Sequence, residues 1–257
     1  DEKVEGRAPV FKKVSDTEYK YEHTKEPVEV ANGNIVTYTL RIFNEGNVAG
    51  YAKEIKDNLP EGLEYLPEHE LNKEYRWKMI DKEGKETQKL EEAVSIRTDY
   101  LSKEQEKTEN ANLIKAYDPE TMTMPDYKDV KIAFKVTEPN TSDRIIINTA
   151  EITDDSDENG KPVDDIDSTP DNDKEGEDDI DIEKIKVKFF DLSLKKWVTE
   201  SIVTYNGKTT VTKTGHTGDE NPEPPAKVEI RGSRMSKTTV KFKFNIKVTN
   251  EGEIAGY

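Results

Sequence analysis

Thr37–Tyr51 reads TYTLRIFNEGNVAGY, and 206 positions later Lys243–Tyr257 reads KFNIKVTNEGEIAGY. Both stretches alternate apolar and polar residues and then turn on Asn-Glu-Gly. In the first, Val36, Tyr38, Leu40 and Ile42 fall on one face; in the second, Phe242, Phe244, Ile246 and Val248 fall at the same offsets. Period-two alternation marks a half-buried strand. Self-similarity over this length marks a tandem array of modules. The spacing predicts one nearly complete β module followed by the first part of another.

The rest of the chain agrees with an all-β reading. Strand-like runs occur at Tyr75–Ile80, Val94–Tyr100, Val130–Val136, Ile145–Ile152, Ile185–Phe190 and Leu192–Val198. Between them lie turn signals such as Asn32-Gly33, Pro60-Glu61-Gly62, Glu83-Gly84, Asn159-Gly160 and Asn206-Gly207. One short helix at most is expected, from Ser102 to Asn112, where Ser-Lys-Glu-Gln resembles a capping box. Many short strands with Gly/Asn turns predict immunoglobulin-like β-sandwich modules in tandem. The expected division is a module over 1–153, an acidic junction over 154–184 and the start of the next module over 185–257. By the repeat offset, the strand matching Leu192–Val198 would precede Asp1, so the first module is expected to lack its opening strand. With no initiating Met, the chain reads as a processed or excised piece.

Net charge is −16, and Asp154–Glu183 alone carries 15 Asp or Glu against Lys161 and Lys174. That leaves about −3 for everything else, which disfavours nucleic acid and anionic membranes, since both need a basic patch. No run of about 18 apolar residues is present, so no membrane-inserting helix is expected. The chain has no cysteine, which removes disulfides and thiolate metal sites. No phosphate loop, nucleophile elbow or zinc motif occurs, so no enzyme is expected. His23, His69 and His216 lack ligand spacing, and Trp77 and Trp197 read as packing residues.

Three blocks stand in a telling order: Asn32–Leu40 (NGNIVTYTL), Asp57–Leu63 (DNLPEGL) and Ile147–Ile152 (INTAEI). Together with Phe190–Lys196 and Asp165–Asn172 they resemble the conserved repeat domains of Gram-positive, especially clostridial, cell-surface proteins. Asn34 departs from the Asp usual there. The resemblance implies an extracellular β-sandwich repeat in a wall-associated or fibrous protein, and relatives include domains with internal Lys–Asn isopeptide bonds. It assigns Asp57 to the acid position of such a bond.

That chemistry joins a neutral lysine amine to an asparagine amide, bridged by a carboxylic acid. Lys196 shares a strand face with Leu192, Leu194 and Val198, and a lysine on a core face calls for a partner. Asn148 shares a face with Ile146, Ala150 and Ile152. Two routes join them: insertion of a neighbouring chain's opening strand, pairing its Lys196 with Asn148, or local use of Lys12, which alternates with Val10 and Val14. The plain alternative is a lysine that snorkels and an asparagine that bonds backbone. A second candidate chemistry is Ca²⁺. Asp155, Asp157 and Asn159 take positions one, three and five of a loop with Gly160 at six. Asp164, Asp165, Asp167 and Asp171 would complete the shell, although Ile166 replaces the closing Glu of an EF-hand. The plain alternative is a solvated acidic linker. The expected role is structural: a rigid spacer or filament subunit whose partners are copies of itself or adjacent repeats. The rival is an adhesin domain, for which an exposed aromatic cluster in Tyr65–Trp77 or Tyr117–Tyr127 would speak.

Overall fold

The computed structural model describes residues 7–14, 19–163, 168–174, 176–222 and 224–256. The chain is all-β and divides into two compact units, Asp1–Lys188 and Phe189–Tyr257.

In the first unit the strands in chain order are β1 (Val10–Lys13), β2 (Tyr19–Glu22), β3 (Val28–Ala31), β4 (Ile35–Asn44), β5 (Gly50–Asn58) and β6 (Leu63–Tyr65). After a helix, α1 (Glu70–Glu74), come β7 (Lys78–Asp81), β8 (Glu86–Thr87), β9 (Ala93–Thr98), β10 (Asp126–Val136), β11 (Ile145–Asp157) and β12 (Ile180–Lys188). One sheet has the order β4-β10-β6 and another β3-β12-β11-β5-β9-β7-β8, while β1 and β2 form a separate hairpin. Apolar residues from both larger sheets meet in one core.

Alternation explains which side chains enter it. Val130, Ile132, Phe134 and Val136 of β10 are wholly buried. Opposite them on β4, in antiparallel register, stand Leu40, Tyr38 and Val36, which are only half-buried. The difference is one of position. β10 is flanked on both sides, whereas among the described residues β4 pairs with β10 alone. On the outer face, Arg41 grips Asp129 through Nε (2.8 Å) and Nη2 (2.9 Å) and lies over the Tyr127 ring.

Two features were not legible beforehand. Helix α1 is capped by His69, whose Nδ1 accepts from the Leu71 amide (3.3 Å). Its Asn72 is buried and bonds Ala133 at both N–H (2.8 Å) and C=O (2.9 Å), taking the ladder position that β6 leaves after Tyr65. The helix expected from Ser102 is only a 3₁₀ turn, Lys103–Gln105, and Ser102 makes no side-chain cap.

The unit boundary falls after Lys188, later than the junction expected at 154–184. β11 continues to Asp157 against β5, and β12 returns antiparallel along β11 and parallel to β3. Ladder bonds hold both flanks of the acidic stretch in the first unit.

Gly62 closes the turn before β6 at φ +97°, and a Cβ there would stand 2.5 Å from Ile146 Cδ1. Gly62→Ala is expected to lower stability by about 1–3 kcal/mol, from backbone strain and overpacking together. A shifted denaturant midpoint at unchanged m-value is the check.

The second unit is a three-stranded sheet in the order β14-β13-β15, with β13 (Leu192–Tyr205), β14 (Lys208–Lys213) and β15 (Thr238–Asn250). β13 and β14 join at Asn206-Gly207, both at positive φ as a tight hairpin requires. The repeat seen in the sequence is also a repeat of hydrogen bonds. Asn44 Oδ1 accepts from Gly46 N (2.9 Å) and its Nδ2 donates to Val48 O (2.9 Å). Asn250 does the same with Gly252 N (3.0 Å) and Ile254 O (2.8 Å).

Candidate functional site

β5 was not evident as a strand, because Lys53, Glu54, Lys56 and Asp57 break its alternation. Its two faces turn out to carry two different polar clusters.

Asp57 points inward, next to Ile55 in period, and is fully buried. It stands opposite Ala150 on β11, which places Asn148 on its diagonal. Asn148 is also buried, and its Nδ2 donates to Asp57 Oδ2 at 2.8 Å. Three polar atoms here have no hydrogen-bond partner among the described residues: Asp57 Oδ1, Asn148 Oδ1 and Tyr38 Oη. Burial raises the Asp57 carboxyl to about 8, against a smaller lowering by the Asn148 bond. At neutral pH the group is therefore largely a neutral acid. Burial, and then the nearby Asp57, likewise push the Tyr38 phenol up.

Two of the residues named for an isopeptide bond, Asp57 and Asn148, are thus brought together by a hydrogen bond in a buried site. Such a bond would also need an amine. Lys12 does not supply it: it lies on the exposed β1–β2 hairpin and is ion-paired with Glu22. Lys196 belongs to the second unit, on β13, where its Nζ lies 4.6 Å from the Phe244 ring centroid.

On the outer face, Lys56 is buried beneath the returning acidic segment. Its Nζ meets Glu151 (2.6 Å), Asp173 (2.9 Å) and Asp171 (3.1 Å). Burial pulls the ammonium down, but the three carboxylates outweigh it and hold the group above the ordinary lysine range. Glu151 Oε1 also accepts from the amides of Asn172 (2.8 Å) and Asp173 (3.0 Å). Arg97 bridges Glu54 (2.6 Å) and Asp171 (3.3 Å). The acidic segment is thus pinned at Asp171–Asp173.

Of the residues expected to bind Ca²⁺, Asp164, Asp165 and Asp167 lie outside the described residues. Asp157 uses its carboxylate on the amides of Asn159 (2.8 Å) and Lys161 (2.9 Å), so the one-three-five spacing here builds a side-chain-capped turn. Asp155 sits in the β11–β5 ladder opposite Ala52, and Asp171 is taken by Lys56 and Arg97. Among the described residues no three acidic or His side chains gather as a cation site.

In the aromatic stretches weighed for an adhesin the rings divide, and Tyr127 is exposed on the outer face beneath Arg41. Tyr65, Trp77 and Tyr117 are buried. Tyr117 takes the edges of Phe11 and Tyr19, and Tyr21 leans on Phe43 at 4.3 Å, so these rings seat the β1–β2 hairpin. No family model, no curated protein and no solved structure matches this chain.

Proposed function

We propose that this chain is a segment of an extracellular structural protein of Gram-positive type, in which immunoglobulin-like modules repeat to form a spacer or filament. One observation carries the reading: the strand-turn unit recurs 206 residues on with the same side-chain hydrogen bonds at Asn44 and Asn250. A unit reproduced to that detail is a building block, and arrays of such blocks span distance.

The Asp57–Asn148 pair adds chemical support. A cross-link drawn from it would make a module resistant to extension, which is what a load-bearing spacer needs. In this reading Lys56 and Arg97, rather than Ca²⁺, neutralise the junction around Asp171 and Asp173.

The test is brief trypsin treatment of intact cells of the source organism. Release of peptides from this chain while cytoplasmic markers stay inside is the expected result. Peptides that appear only after lysis would overturn the surface assignment.

A further inference from the structure

β10 has a neighbour along only part of one edge. On that side β6 pairs with Phe134–Val136, Asn72 takes Ala133, and Trp77 Nε1 donates to Lys131 O at 2.8 Å. Further back along the strand, Lys128 and Asp129 border a cleft of about 290 Å³. Ligand sites run from about 300 to 1,000 Å³, so this one suits a ligand of ring size.

The walls of the cleft are held from behind. The Tyr75 amide closes α1 by donating to Leu71 O (2.9 Å), and Thr98 Oγ1 donates to Tyr75 O from the end of β9. Tyr100 meets Tyr75 edge to face, with 4.9 Å between centroids and 63° between planes, so the two rings line the cleft as a corner. Gln105, Lys107 and Asn112 complete the lining from one loop. Asn112 Nδ2 donates to Tyr100 O (2.8 Å) and Ser102 O (3.0 Å), which uses both its hydrogens. What Asn112 still offers is Oδ1, an acceptor. Gln105 Nε2 donates to Asp99 Oδ2 (2.9 Å), which leaves Oε1 and one N–H. Acceptors at a cleft call for O–H donors on the ligand.

Charge makes the second demand. Lys128 has core-side parity on β10, two residues before the buried Val130 and opposite Ile42, and it is half-buried. Lys107 is exposed. Neither makes an ion pair or hydrogen bond among the described residues. Asp129, the carboxylate in the lining, is already gripped by Arg41. Glu74 lies beside Tyr75, where its charge adds to burial in pushing the phenol up, so Tyr75 is a neutral O–H group. A partly desolvated ammonium without a counter-ion is costly, and Lys128 therefore calls for an anion from outside.

We propose that this cleft binds an acidic saccharide, a sugar ring bearing a carboxylate. The carboxylate meets Lys128 and Lys107 in charge-assisted hydrogen bonds. Ring hydroxyls donate to Asn112 Oδ1 and Gln105 Oε1. The C–H face of the sugar packs into the Tyr75–Tyr100 corner, because slightly positive C–H groups suit the negative face of an aromatic ring. Sulfate has the charge without the O–H donors, and a neutral sugar has the donors without the charge. The proposal stands independently of the spacer reading.

The experiment is saturation-transfer NMR on the full chain, with D-glucuronate and D-glucose as probes and inorganic sulfate and a Glu-rich peptide as competitors. Glucuronate should bind, and glucose should bind roughly tenfold more weakly or less. Lys128→Met and Lys107→Met should each weaken glucuronate about tenfold and leave glucose unchanged. Lys135→Met makes the same change in net charge at an exposed position on the same strand and should alter neither. Lys107 is exposed, so its variant reads the site even if Lys128→Met unfolds. Equal binding of the two sugars would overturn the role of the lysines. Displacement of glucuronate by equimolar sulfate would make this a plain anion site and overturn the saccharide. Stronger displacement by the peptide would assign the cleft to an acidic chain instead. No transfer to glucuronate would overturn the whole proposal, while the surface-spacer reading is decided separately by the cell-shaving result.

Discussion

Lys56→Met should strip the acidic segment from the first unit. The substitution leaves Glu151, which is 2% exposed, as a buried carboxylate without its counter-ion, and it frees Asp171 and Asp173 to repel it. Removing one partner of a buried ion pair costs more than the pair itself contributes, because the remaining charge stays desolvated. A loss of about 3 kcal/mol is expected, or a fall in melting temperature on the order of 10 °C for a unit of this size. Limited proteolysis should show new early cleavage within 168–179. The double variant Lys56→Met/Glu151→Leu should recover much of the stability, since an apolar pair leaves no orphaned charge. Equal cleavage of wild type and Lys56→Met would refute the pinning role.

The second large effect is a pH dependence of unusual sign. Asp57 has its folded pKa raised to about 8 by burial, against about 4 in an unfolded chain. Between those values the folded state holds a proton that the unfolded state has released. Stability therefore falls as pH rises from about 4 to about 8, by up to about 5 kcal/mol across the window. Glu177, lowered to about 2 by Lys174 and the Thr169 amide, acts in the opposite direction: its contribution is present above the ordinary carboxylate range and fades in stronger acid. Asp173, lowered chiefly by Lys56, behaves likewise. The first unit should thus be most stable near pH 4–5, where both conditions hold, and weaken toward pH 8. Asp57→Asn removes this proton-linked group, and denaturant titrations between pH 5 and 8 should then lose the downward slope and keep only the opposite one from His23, whose pKa burial lowers. A wild-type profile that is already flat over that range would mean that Asp57 is ionised in the fold.

The parts legible in the sequence are those written in alternation. β4, β10 and β15 show their faces directly, and the carried-over repeat located the turn that Asn44 and Asn250 build. Asn148 was legible by parity on β11, and Asp57 by resemblance alone. Nothing in the pattern of β5 marks Asp57 as a core residue, because charges occupy both faces of that strand. The anchoring of the acidic stretch was not legible for a related reason. Composition counts the carboxylates, but it does not see that Lys56 and Arg97 stand on the outer face of β5 and β9 to receive them. Helix α1 escaped because its anchor is a single asparagine amide completing the ladder at Ala133, a contact that leaves no periodic trace.

The parallel pairing of β3 with β12 has a consequence under load. β12 leads directly into Phe189, and β3 runs beside it in the same direction, with Val28 opposite Ile185 and Ala31 opposite Lys188. A pull applied through the chain draws the start of β3 one way and the end of β12 the other. The ladder between them is then sheared along its length, so its bonds share the tension instead of parting one at a time. On its other side β12 is held by the antiparallel ladder to β11. The exit from the first unit at Lys188 is thus clamped on both flanks, and a force pulling on it meets its resistance along the whole of β12.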